Sequence, residues 1–101
     1  MKTVIIMGST SDEPHAKKIT NKLDEYGITW EQHAASAHKQ PLQVLEILTA
    51  NKNEKDIVYI TIAGRSNALS GFVAANCEFP TIGCPPFSDK TDMLVNVHST
   101  L

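Results

Sequence analysis

Three short stretches concentrate the residues able to do polar chemistry: Gly8-Ser9-Thr10-Ser11-Asp12, Ser36-Ala37-His38-Lys39 and Gly64-Arg65-Ser66-Asn67. His38 can move protons near neutral pH. Lys39 beside it can pair with a carboxylate or a phosphate, and Arg65 is a permanent cation suited to the same groups. Gly8 lets the backbone approach a ligand closely, Ser9 and Ser11 bring hydroxyls, and Asp12 can accept a hydrogen bond from a sugar hydroxyl. Each feature has a plainer alternative. Ser11 and Asp12 suit helix caps, a single loop histidine can be structural, and Arg65 can be a surface charge. The first stretch is neither a Gly-Lys-Ser/Thr phosphate loop nor GxGxxG, which weakens nucleoside triphosphate and dinucleotide readings.

The remaining candidates are poorer. His15 falls in the first turn of a helix and is expected to be exposed. His33 lies in a strand, and His98 follows the last recognisable element. His38 is therefore expected to be the one histidine at the chemical rim. No two histidines have helical metal-ligand spacing, and Cys77 and Cys84 lack a third ligand nearby, so two reduced, largely buried thiols are expected and no metal. The formal charge of −2, with Lys17-Lys18 the only basic doublet, argues against nucleic acid or an anionic membrane as partner. Only five mostly apolar residues lie between Lys2 and Gly8, too short for a signal core, and no window reaches membrane-spanning length, so cytoplasmic residence is expected.

Positioning those stretches falls to alternating strand and helix patterns within a single domain of 101 residues. Thr3 to Met7 is a β-branched run of the kind buried on both faces of a parallel sheet. A helix follows from about Glu13 to Tyr26, with Ala16, Ile19, Leu23 and Tyr26 on one stripe, Ser11 or Asp12 as cap and Gly27 just past its end. Ile28 to Ala35 reads as a strand. Pro41 opens a helix with Leu42, Leu45 and Leu48 on its apolar face, widened by Val44 and Ile47. Asp56 to Ala63 is the strongest strand, Ala68 to Ala75 a short helix, and Pro80 to Cys84 a fourth strand. The order βαβαβαβ demands parallel strands and right-handed crossovers. The fold class is therefore a three-layer α/β/α sandwich, flavodoxin-like or Rossmann-like. In such folds ligands bind beyond the carboxyl ends of the strands, where all three chemical stretches must lie, each feeding a helix N-terminus that favours anions.

The ordered set Met7-Gly8-Ser9-Thr10-Ser11-Asp12, Ser36-Ala37-His38-Lys39 and Ala63-Gly64-Arg65-Ser66-Asn67-Ala68-Leu69 resembles the three signature stretches of the PurE family. Cys84-Pro85-Pro86 resembles the segment after that family's fourth strand. The resemblance implies a phosphoribosylaminoimidazole carboxylase, a carbon–carbon lyase of purine biosynthesis that takes aminoimidazole ribonucleotide and carbon dioxide without a cofactor. His38-Lys39 and Gly64-Arg65-Ser66-Asn67 look like the branch that uses carbon dioxide directly. The mutase branch, which moves a carboxylate from the exocyclic amine to the ring carbon, and a non-catalytic nucleotide- or phosphate-binding module are the alternatives. By resemblance His38 carries the proton. Gly8, Ser9, Ser11 and Asp12 bind the ribose phosphate end with Ser36 and Ala37 nearby, and Lys39 with Gly64, Arg65, Ser66 and Asn67 surrounds phosphate and carboxylate. The family forms homo-oligomers, tetramers or octamers, and its domain continues past Leu101. This sequence is therefore expected to be C-terminally truncated, with a short sheet and uncovered apolar surface.

Overall fold

The computed structural model describes residues 1–63 and 68–85. Strand β1 (Lys2–Met7) is followed by a 3-10 turn at Thr10–Asp12, helix α1 (Glu13–Glu25), β2 (Thr29–Ala34), α2 (Pro41–Ala50), β3 (Ile57–Ile62), α3 (Ala68–Asn76) and β4 (Thr81–Gly83). All pairings are parallel and the strand order is β2-β1-β3-β4.

The sheet explains the β-branched runs. Along β1, Val4 and Ile6 face one side while Ile5 and Met7 face the other, and all four are buried. A fully buried aliphatic side chain of this size contributes roughly 1.5–3 kcal/mol, so a strand covered on both faces is the strongest single element available to a small chain. Helices α2 and α3 pack Val44, Ile47, Leu48, Leu69 and Val73 against Val4, Ile6, Ile57 and Tyr59. On the opposite face α1 packs Ala16, Ile19 and Leu23 against Ile5, Met7, Ile60 and Ile62. Helices on both faces make the three layers that the element order demands. No helix among the described residues is long and apolar enough to cross a membrane.

Local details depart from the sequence reading in instructive ways. On α2 the buried stripe is Val44, Ile47 and Leu48, continued by buried Asn51, while Leu42 is 74% exposed. Leu42 lies two residues before Val44, about 200° around the helix, so both cannot face the sheet. Tyr26 is 77% exposed because it sits at the C-cap, outside the helical stripe. Beyond it the chain closes a Schellman motif: Gly27 N–H donates to the Asp24 carbonyl at 3.1 Å and Ile28 N–H to the Leu23 carbonyl at 2.9 Å. Gly27 takes φ +67°, the left-handed region that suits glycine. Strand β3 starts at Ile57, since Asp56 turns the chain with a φ of 56°.

At the amino end of the interior strand β1, Lys2 ties the strand to its neighbours. Its ammonium contacts Glu31 Oε1 at 2.5 Å and donates to buried Asn51 Oδ1 at 3.0 Å. His33, expected in a strand, lies in β2, half-buried and paired with Glu31. Burial pushes the Glu31 carboxyl up, but the hydrogen bonds and charges of Lys2 and His33 outweigh it and hold the group below its ordinary value of 4.5.

Two outcomes follow. Gly27→Ala places a side chain in the left-handed region, so it should cost about 1–2 kcal/mol in urea unfolding. Because the Glu31 pKa is depressed in the folded state, its contribution to stability is present above the unfolded value and is lost as pH falls through the folded one. A Glu31→Gln variant should therefore be less stable than the parent near pH ~6, with the gap in Tm narrowing as pH falls below the ordinary carboxyl value of 4.5 and through the lower folded one.

Candidate functional site

The chain starts in the middle of its sheet. From β1 it passes through α1 to β2 on one side, then through α2 back across to β3 on the other. The direction reverses between β1 and β3, and beyond the carboxyl ends of those strands the connections leave on opposite faces, opening a crevice. Backbone bonds knit its floor: Gly8 N–H donates to the Ile62 carbonyl and Ala35 N–H to the Met7 carbonyl, both at 2.8 Å.

A cavity of about 310 Å³ occupies this crevice, within the range of about 300–1,000 Å³ common for small-molecule sites. From the first stretch Gly8, Ser9, Ser11 and Asp12 line it, and from the second Ser36, Ala37 and His38. Ala63, Ala68 and Leu69 supply an apolar wall from the third connection. Lys39 is exposed and does not line the cavity, although it adjoins His38. Gly64, Arg65, Ser66 and Asn67, like His98, lie outside the described residues; the cavity-lining Ala63 and Ala68 flank the four-residue stretch.

The capping alternative for the first stretch is now divided. Ser9 takes that role for the 3-10 turn: its Oγ accepts from Ser11 N–H at 3.2 Å and lies 2.9 Å from Ser11 Oγ. Asp12 sits at the N-cap of α1 but makes no side-chain capping bond, which corrects the expectation that it caps. Its half-buried carboxylate faces the cavity instead. Burial raises its pKa above the ordinary carboxylate value, an effect that the His15 charge and a backbone hydrogen bond involving Ser9 only partly offset. Gly8 is not demanded by packing. An added Cβ would meet the Ile62 carbonyl oxygen at 3.6 Å and Ala63 Cβ at 3.8 Å, which is ordinary contact, so the described neighbours leave room for a side chain here.

In the second stretch Ser36 organises the turn. Its Oγ accepts from His38 N–H at 3.3 Å and Lys39 N–H at 3.2 Å, and its carbonyl accepts from Gln40 N–H at 2.7 Å. Pro41 then opens α2. The turn presents His38 at the cavity mouth with its side chain exposed to water.

His15 is the residue that sequence reasoning misplaced. It is half-buried, not exposed, and its Nε2 lies 3.1 Å from the Cys84 carbonyl oxygen beyond the end of β4. The signal was available: side chains in a helix's first turn lean toward its N-terminus, here toward the rim. Cys77 and Cys84 are free thiols, each partly buried, and burial pushes the Cys84 thiol up.

Removing the Ser36 hydroxyl strips the second stretch of its organising acceptor. Ser36→Ala should cost about 1 kcal/mol in denaturant unfolding, the usual worth of a side-chain cap, and should speed hydrogen exchange at the His38 and Lys39 amides.

Comparison with known proteins agrees with this architecture. The family model for AIR carboxylase matches residues 2–101. The phosphoribosylaminoimidazole carboxylase of Archaeoglobus fulgidus is 57% identical over 90 residues, which are 89% of this chain and 49% of that protein. The carboxylase of Treponema denticola is 47% identical over 88 residues, 86% of this chain and 55% of that protein. The crystal structure of Treponema denticola PurE superposes with a TM-score of 0.87 at 42% identity, covering 95% of this chain and 63% of that one. The chain thus spans about half the length of the curated relatives it matches. With a matching family model over nearly all its residues and the same fold, the chain belongs to the AIR carboxylase (PurE) family.

Proposed function

We propose that the cavity binds aminoimidazole ribonucleotide and that the protein carboxylates it with carbon dioxide, in purine biosynthesis. The observation that carries this reading is the convergence of Ser9, Ser11, Asp12, Ser36 and His38 on one cavity at the point where the strand order reverses, between β1 and β3. Helix N-termini supply amide donors and partial positive charge for a phosphate. Asp12, relieved of capping, is an acceptor for ribose hydroxyls.

The chemistry asks little of the protein beyond positioning and a proton carrier. Aminoimidazole is an enamine, so its ring carbon is already nucleophilic and needs neither metal nor cofactor. The ring carbon forms a bond to carbon dioxide, whose π pair moves to oxygen as the carboxylate appears. The hydrogen left on that carbon goes to His38, and the C–H pair returns to the ring. His38 then releases the proton to solvent. Lys39 and the Gly64-Arg65-Ser66-Asn67 stretch balance the charge of phosphate and carboxylate. The choice of direct carboxylation over the mutase rests on His38-Lys39 and Gly64-Arg65-Ser66-Asn67, which resemble the former branch. In this reading the protein works as a homo-oligomer, tetramer or octamer, and the exposed Leu42 and half-exposed Ile82 offer apolar surface for assembly.

Turnover of aminoimidazole ribonucleotide with bicarbonate as the source of carbon dioxide tests the proposal. The parent should turn over, and His38→Asn should lose about 10²- to 10⁴-fold, the usual worth of a positioned acid–base group, while still binding the ribonucleotide. Turnover that ignores bicarbonate and requires the N-carboxylated isomer would mean the mutase. A ribonucleotide that raises Tm without any turnover would mean a binding module.

A further inference from the structure

We propose that His15 is a positioning residue for this cavity: by bonding the Cys84 carbonyl it holds the start of α1, and Asp12 with it, in fixed relation to the exit of β4. The inference rests on the ribonucleotide reading given above.

The bond closes a gap in the sheet's own hydrogen bonding. Cys84 N–H donates to the Thr61 carbonyl at 2.8 Å, extending the β3–β4 ladder past Gly83. The carbonyl of the same residue is taken by His15 Nε2 at 3.1 Å, across 69 residues of sequence and in a partly buried setting. A carbonyl oxygen only accepts, so Nε2 must carry the hydrogen. The contact therefore selects one neutral tautomer or the imidazolium, and nothing else.

His15 does not itself line the cavity, so it acts through what it holds. It follows Asp12 by three residues at the start of α1, a spacing that places the two on one side of the helix. When protonated, His15 favours the carboxylate form of Asp12, the form that accepts hydrogen bonds from sugar hydroxyls. At the other end of the bond, Cys84 packs with the core under α1, among Ile5, Met7 and Ile62. A broken bond would free both the Asp12 wall and the strand exit. Loss of precise placement at such a wall weakens binding without removing any group that touches the ligand.

The test uses a Cys77→Ser background, so that Cys84 is the single thiol. Two quantities are read: the rate at which a small disulfide reagent labels Cys84 in the free protein, and the Kd for aminoimidazole ribonucleotide by calorimetry. His15→Ala should label about tenfold faster and bind about tenfold more weakly, on the scale of one partly buried hydrogen bond. His15→Gln keeps an N–H donor and should stay within about threefold of the background protein on both readouts. Unchanged labelling in His15→Ala would sink the tether. Faster labelling with unchanged Kd would make the tether a purely structural one, as would a Gln variant that restores slow labelling but not affinity. A background protein that binds no ribonucleotide would overturn the reading of the cavity and the positioning role together, while the labelling ratio would still report the tether.

Discussion

Strand β1 pairs in parallel with β2 on one side and β3 on the other, and this double pairing organises everything else. Parallel strands cannot be joined by hairpins, so each connection must cross the sheet through a helix. Right-handed crossovers then send α1 to one face, because the chain first moves toward β2, and α2 with α3 to the other, because it later moves toward β3 and β4. Both faces of β1 are thereby covered, which is why its side chains can be apolar without alternation. The reversal of direction also leaves a crevice beside the carboxyl end of β1, and that crevice is the cavity. Core and site are two results of one topological fact.

The two ends of the sheet have been given different polar chemistry. Toward the amino ends, Lys2, Glu31 and Asn51 satisfy one another, with His33 reaching Glu31 from further along β2: charges are paired, and the buried amide of Asn51 both donates to the Ile47 carbonyl and accepts from Lys2. Such a closed network ties β1 to β2 and to the end of α2, and leaves little for a ligand to do. At the carboxyl ends the groups are less completely occupied. Ser9 and Ser36 stabilise their own turns, while Asp12 and His38 are held by their backbones with side chains turned to the cavity or to its mouth. Preorganised loops on a rigid parallel sheet place reacting groups at little entropic cost, since the ordering has already been met by folding.

The buried hydroxyl of Tyr59 shows what the core tolerates. Its side chain is fully buried beside Phe79, with ring centroids 6.4 Å apart, and its oxygen has no hydrogen-bond partner among the described residues. Burial, with the nearby charges of Cys77 and Glu31, pushes the phenol up to about 12, so it stays neutral. The cost of an unpaired hydroxyl, of order 1–3 kcal/mol, is offset by the large apolar area that the ring buries between α3 and the sheet.

Much of this was legible from one-dimensional pattern. The runs Thr3 to Met7 and Ile57 to Ile62, the glycine after α1 and the proline before α2 report local preferences that the tertiary fold leaves intact. The order of elements was then enough to put three chemical stretches on one rim. Periodicity alone could not decide which of two apolar stripes on opposite sides of α2 faces the sheet. Leu42 and Val44 are both good core residues, and only the crossing of α2 over β1 and β3 selects Val44. Nor could it assign Asp12, because capping and ligand binding call for the same residue type, and only the tertiary structure shows its side chain making no cap bond and lining the cavity. His15 was misjudged for a different reason: its partner is a backbone carbonyl 69 residues away, and main-chain atoms carry no sequence signal. Residue types therefore determined the elements, their order and the inventory of chemical groups. The tertiary structure decided which side chains face one another, because distances between chain-remote groups are set by packing and not by local preference.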